Sequence, residues 1–259
     1  MRLMGVVNVT PDSFSDGGRY LDPEAAISHG EELFRDGAEI LDVGGESTRP
    51  GAVEVSEEEE LSRVEPVVAG LAKTATVSID TSKATVAEAA LDAGASIVND
   101  VTALRRDPEV ASLCAERDAG LVLMHMQGDP RTMQEGPSYD DIVDDVKAFL
   151  AERLEAAIAA GVAEERIWLD PGIGFGKNLS HNLELLRRLG ELRDLGRPLV
   201  VGTSRKSFIG KIDGSEVGDR LGGTIASSVL AAAVGADVLR VHDVAEAAQA
   251  MKVATVILA

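Results

Sequence analysis

The sequence predicts a single-domain (β/α)8 barrel over residues 1–259, on three observations: its length, a strand-then-helix alternation repeated eight times, and polar residues that close the strands. A chain of 259 residues fits the roughly 250 residues such a barrel takes in one domain. Near-continuous apolar runs alternating with amphipathic stretches imply a parallel sheet covered on both faces. A doubly wound open sheet is the runner-up.

The strands are expected at residues 3–7, 40–43, 76–79, 96–98, 121–124, 167–169, 199–201 and 237–239. Stretches of helical period lie between them, at 23–36, 57–72, 84–93, 142–160 and 223–234. Residues 128–138, with two prolines and two glycines, read as a long surface loop. Nothing in composition or repeats divides the chain into further domains.

Composition limits the function classes. Hydrophobic residues make up 45% of the chain, yet no apolar run approaches the roughly eighteen residues that span a bilayer. The N-terminal MRLMGVVNVTPD leads directly into a strand, unlike a signal peptide, and a cytoplasmic protein is expected. Cys114 is the only cysteine, which excludes internal disulfides and thiolate metal clusters and reads as a buried small hydrophobe. A net charge of −19 argues against nucleic acid as partner. The preference for Arg over Lys fits salt adaptation of the surface and ordinary compositional drift equally well.

What closes each strand is the most informative pattern: Asn8, Asp42, Asp80, Asn99, His125, Asp170, Ser204 with Lys206, and Arg240 with His242. In a parallel barrel these ends share one rim, where catalytic groups collect. One such residue is equally well a helix cap. A ring of them predicts a pocket. PGIGFGK at 171–177 imitates a phosphate loop, but its glycine spacing is one residue short and Asn178 stands where Ser or Thr is needed, so the loop is read as a close backbone approach to a ligand. His125 and His242 lack a third ligand at zinc-site spacing.

Eight motifs occur in order: NVTPDSFSDGG (8–18), LDVGGESTRPGA (41–52), SIDTSK (78–83), IVND (97–100), LMHMQG (123–128), LDPGIGFGK (169–177), GTSRKSF (202–208) and RVHDV (240–244). Together they resemble the dihydropteroate synthase family over essentially the whole chain. The resemblance implies condensation of 6-hydroxymethyl-7,8-dihydropterin diphosphate with 4-aminobenzoate, giving 7,8-dihydropteroate and diphosphate in folate biosynthesis. It implies Asp170, Asn99, Asp80, Gly202 and Lys206 around the pterin, with Met124 and Phe175 packed on the ring, although plain packing explains those two equally well. The diphosphate falls to Asn8, Thr48, Arg49, Arg240 and His242, with Mg2+ on Asn8. Ser204, Lys206 and Phe175 receive aminobenzoate. Asp80, Lys206 and Asp42 are the implied catalytic groups. The loops at 10–19 and 46–53 are expected to close over the second substrate.

Three rivals share parts of this pattern. A pterin-barrel methyltransferase using methyltetrahydrofolate has no need of Asn8, Thr48, Arg49 and the RVHDV cations. An aldolase-like barrel would use Lys206 as a Schiff-base amine. A non-catalytic paralogue would keep the pterin contacts alone. The resemblance further implies a homodimer, for which the alanine-rich stretch 224–234 offers a surface, and sulfonamides as competitors of aminobenzoate. Relative to the family, the chain begins almost at its first strand, without a preceding hairpin, so the bottom of the barrel is expected to be less well plugged.

Overall fold

The computed structural model describes residues 1–10, 22–47, 52, 54–129 and 132–258. Among these, eight strands alternate with helices. The strands are β1 (Arg2–Asn8), β2 (Ile40–Gly44), β3 (Thr76–Asp80), β4 (Ile97–Asp100), β5 (Gly120–Met124), β6 (Ile167–Asp170), β7 (Val200–Val201) and β8 (Val238–Val241). All pairings are parallel, in the order β6-β5-β4-β3-β2-β1-β8-β7, and a parallel bridge from Leu169 to Leu199 joins the two ends. The sheet is therefore a closed (β/α)8, or TIM, barrel rather than the doubly wound alternative.

The α-helices are α1 (Pro23–Asp36), α2 (Glu57–Leu71), α3 (Ala84–Asp92), α4 (Glu109–Glu116), α5 (Ile142–Ala159), α6 (Leu179–Arg187), α7 (Ser207–Asp213), α8 (Leu221–Ala233) and α9 (Val244–Leu258). Their starts follow local chemistry. Asp22 accepts from Glu24 N ahead of Pro23 at the start of α1, and Gly37 ends that helix at φ 114°. Ser56 caps α2, whose first turn carries Glu57, Glu58, Glu59 and Glu60 on the positive end of the helix dipole. Asp141 caps α5, and Asn178 forms a capping box with His181 at α6.

Strand parity sorts the side chains, because successive residues face opposite sides of a sheet. One set, including Leu3, Val7, Leu41, Val43, Val77, Ile79, Leu121, Leu123, Leu169 and Leu239, turns outward and joins the helices in one continuous core. The other set points down the barrel axis. Met4, Ile40, Ile97, Val122, Trp168, Val200 and Val238 form a separate buried layer across the lower half of the barrel. The Arg2 guanidinium lies 4.3 Å over the Trp168 ring. Cys114 is fully buried on α4, as its lone position suggests.

Candidate active site

The same parity builds the site. Two residues beyond six of the seven inward apolar side chains, the strand presents its next inward group: Asp42 after Ile40, Asn99 after Ile97, Met124 after Val122, Asp170 after Trp168, Gly202 after Val200 and Arg240 after Val238. Asp80 follows inward-facing Ser78 in the same way, and Asn8 closes β1 opposite Gly44. The apolar layer is thus the floor of a polar chamber. Asp42, Asp80, Asn99, Asp170 and Ser204 are all buried.

Arg240 organises one side of that chamber. Its Nε donates to Asp42 Oδ2 at 2.6 Å and its Nη2 to Asp80 Oδ2 at 2.8 Å, while Asn99 Nδ2 donates to Asp42 Oδ2 at 3.1 Å. One guanidinium thus serves two carboxylates. Burial pushes Asp80 up to about 7 against the opposing pull of Arg240, with Asp42 adding to the rise. Burial alone would lower Arg240, but the carboxylates of Asp42 and Asp80 outweigh it and raise the guanidinium. Asp42 Oδ1 and Asp80 Oδ1 are buried and make no hydrogen bond among the described residues. Orphaned acceptors of this kind in a polar chamber await a ligand that carries donors or positive charge. Arg240, implied for the diphosphate, is here held by the two acids, because they are the nearest anions.

Asp170 lies across the chamber. Its Oδ1 accepts from Gly172 N at 2.6 Å, and burial raises its carboxyl above the usual range. Lys206 Nζ stands 4.0 Å over the Phe175 ring. Phe175 packs against a buried cluster of Val101, Met124, Met126 and Met133, so the two implied ring-packing residues share one apolar wall. Gly202 faces inward with no atom closer than Arg240 Cβ, 3.8 Å from where a Cβ would stand.

Ser204 and His242 are brought together. The Ser204 hydroxyl and His242 Nδ1 lie 2.9 Å apart, and His242 N donates to Ser204 Oγ at 3.2 Å. The implied aminobenzoate and diphosphate positions therefore share a hydrogen-bonded pair. Thr48 and Arg49, and most of the loops at 10–19 and 46–53, lie outside the described residues.

Three features escaped the sequence reading. Arg205, between Ser204 and Lys206, is a non-glycine residue at φ 56°, fixed by Asp243 at 2.5 Å and by the bond from its own N to Thr224 Oγ1 at 2.9 Å. Lys83 is buried and donates to Glu60 Oε2 at 2.6 Å and Val55 O at 2.6 Å, with Glu46 Oε2 at 3.0 Å, which ties both stems of the loop after β2 to β3. Lys177 points into the interior rather than toward a phosphate. A lysine inside an apolar or glycine-rich motif is the one signal that marks the last two.

Among the described residues no three His, Cys, Asp or Glu side chains gather as metal ligands. Asp80 Oδ2 already accepts from Arg240, which leaves the Asn8 amide oxygen, beside Gly44 at the end of β1, as the hard donor chemically suited to a cation that draws its other ligands from substrate and water.

Comparison with known proteins gives one consistent result. The profile of the family described as pterin binding enzyme matches residues 4–242. Dihydropteroate synthase of Escherichia coli K12 is 49% identical over 253 residues, which cover 97% of this chain and 89% of that one. The Yersinia pestis dihydropteroate synthase in a sulfonamide complex superposes with a TM-score of 0.95 at 46% identity, covering 99% of this chain and 94% of its own. The Xanthomonas albilineans enzyme with 4-aminobenzoic acid gives 0.93 at 48% identity, covering 100% and 93%.

Proposed function

The chain belongs to the pterin binding enzyme family, and we infer that it is the catalyst joining 6-hydroxymethyl-7,8-dihydropterin diphosphate to 4-aminobenzoate, with release of diphosphate. The observation that carries this reading is the pair of unpartnered buried acid oxygens, Asp42 Oδ1 and Asp80 Oδ1, in a chamber shared with Asp170, Asn99 and Arg240. Nearly half-identical relatives named for this reaction favour it over the methyltransferase and the non-catalytic paralogue. Lys206 stacked on Phe175 opposite Asp170 fits a hydrogen-bond donor to the pterin better than a Schiff-base amine.

The pterin enters between Met124 and Phe175 on one side and the open face of Gly202. Its amino and ring N–H groups meet Asp170, which excludes ligands lacking those donors because a buried acceptor left unpaired is costly. Asn99 and Asp80 take the ring nitrogens, and Lys206 donates to the carbonyl edge. As the bond from the methylene carbon to the diphosphate oxygen lengthens, the ring and methylene gain positive charge. Asp80 and Asp42 stabilise it, since preorganised charge in a dry site acts without reorganising solvent. Arg240 and His242 receive the negative charge of the departing diphosphate, together with Thr48, Arg49 and Asn8. Asn8 would hold Mg2+, which supplies further charge neutralisation on the leaving group. The aminobenzoate carboxylate sits at Ser204, with Lys206 and Phe175 beside it. Its amine then attacks the methylene carbon, and the proton it loses leaves to solvent. Sulfonamides mimic aminobenzoate and compete at this subsite.

A homodimer fits the exposed apolar residues on neighbouring outer helices: Leu230 on α8 and Val253, Val256 and Ile257 on α9. A reduced cytosol suits the single buried thiol. Among the described residues no helix is long and apolar enough to cross a membrane.

The test is product formation. Purified protein supplied with the dihydropterin diphosphate, Mg2+ and 4-aminobenzoate is expected to yield dihydropteroate and diphosphate only when all three are present. Intact pterin binding with no product would return the assignment to the methyltransferase or the paralogue.

A further inference from the structure

The glycine run after β6 encloses a charge that the mechanism above does not use. Lys177 is the largest fully buried side chain of the described residues. Its amine donates to Gly172 O at 3.0 Å and Phe175 O at 3.0 Å, and lies 2.8 Å from His125 Nδ1. With His125 O at 3.4 Å, four acceptors surround the amine, enough for all three protons of an ammonium. Burial and Lys177 hold His125 well below its ordinary value, so the ring is neutral, and opposite an ammonium, which can only donate, its Nδ1 is the acceptor. Burial pushes the Lys177 amine down to about 7, opposed by the Asp170 carboxylate and reinforced by Lys206.

The loop around this amine has little freedom. Gly172, Gly174 and Gly176 have φ of 66°, 85° and 61°, and a Cβ at Gly172 would stand 1.9 Å from His125 O. Four of its carbonyls are taken: Gly172 and Phe175 by Lys177, Gly174 by Gln134 Nε2 at 2.8 Å, and Gly176 by Tyr139 Oη at 2.6 Å. Without the amine, the Phe175 carbonyl and the His125 imidazole nitrogen would face a buried space without their donor, and Gly172 O would keep only its bond from Phe175 N at 3.0 Å, which favours a different loop shape.

That shape matters because the loop carries the pterin contacts. Gly172 N fixes Asp170 Oδ1, Phe175 forms the apolar wall, and Gly174 abuts the Lys206 stem, where a Cβ would lie 3.1 Å from Lys206 Cδ. We propose that Lys177 is a positioning residue for pterin recognition: from behind the loop, its buried ammonium gathers the Gly172 and Phe175 carbonyls and so aims Asp170, Phe175 and Lys206 at the ring. The idea rests on the pterin reading of this chamber. It concerns only the β6 side, because Lys177 makes no hydrogen bond to Arg240, His242 or Ser204.

The test measures two affinities in one variant. Lys177→Met keeps the stem and removes the donors. It is expected to weaken binding of the dihydropterin diphosphate by at least about tenfold, while inorganic diphosphate, tested separately, binds as to the wild type. A merely loosened barrel would lose both ligands together, and that result, or unchanged pterin affinity, would overturn the proposal. If Lys177→Met does not fold, Lys177→Arg decides the matter. Its retained charge should keep pterin affinity within roughly threefold of the wild type, and a tenfold loss with diphosphate binding intact would overturn it. Failure of the wild type itself to bind pterin would instead remove the functional reading beneath the proposal.

Discussion

Arg240 Nη2 lies 2.8 Å from Asp80 Oδ2 although the two residues are 160 positions apart in the chain. The contact sets a pH dependence. Asp80 is raised to about 7 by burial, and Arg240 is the group that opposes the rise. Stabilising the developing cation needs the carboxylate, so kcat/KM should climb as pH passes upward through about 7. In Arg240→Gln the opposing charge is gone, and the acidic limb of the profile should move to higher pH. A limb that stays in place would break the link between the two residues. The stability sign is opposite: with its folded value above its unfolded one, Asp80 favours the fold at low pH, and that contribution is lost as pH rises through about 7.

Gly172 is sterically locked. A side chain there meets the His125 carbonyl and requires φ 66°, so Gly172→Ala should displace the loop that carries Asp170 and Phe175. The expected cost is at least about 1–3 kcal/mol from backbone strain alone. Chemical denaturation measures it, and pterin titration should show the accompanying loss of affinity. Unchanged values in both would mean that the close approach is unimportant.

Lys83 joins Glu60, Glu46 and Val55 in a buried network. Removing one member of a buried ion pair leaves an uncompensated charge, so Lys83→Met should destabilise the protein by about 3–5 kcal/mol. The double change Lys83→Met with Glu60→Gln should recover part of that loss in the same denaturation assay. An additive double mutant would show that the pair is uncoupled.

Association is read by sedimentation. The wild type is expected as a dimer and Leu230→Glu as a monomer, because the leucine is 67% exposed on α8 beside the apolar face of α9. A wild-type monomer, or an unaltered Leu230→Glu dimer, would contradict that surface.

Much of the site was legible because one parity rule governs eight strands. Asp42, Asn99, Asp170 and Arg240 each stand two residues past an inward apolar side chain, so a pattern readable in the sequence places them on one rim. Helices α4, α6, α7 and α9 were not among the stretches of helical period. The first three carry barely two turns each, but α3 is as short as α6 and was found, and α9, at fifteen residues, was missed despite its length. Pairings across the barrel were not legible either. Arg240 meets Asp42 and Asp80 only because β8 closes against β1, and composition says nothing about which carboxylates a guanidinium finds. Lys177 looked like a failed phosphate loop because the spacing that rules out that motif does not reveal where the amine goes instead.

The central claim is that the protein stabilises charge separation rather than supplying a nucleophile. Positional isotope exchange tests it most directly. The substrate is labelled with 18O at the atom bridging the methylene carbon and phosphorus, incubated with enzyme and Mg2+ without aminobenzoate, then recovered. Dissociation and recombination should carry label into non-bridging positions of the adjacent phosphate. Label retained wholly at the bridge, in enzyme that forms dihydropteroate once aminobenzoate is added, would contradict the account and require attack by the amine before the bond breaks.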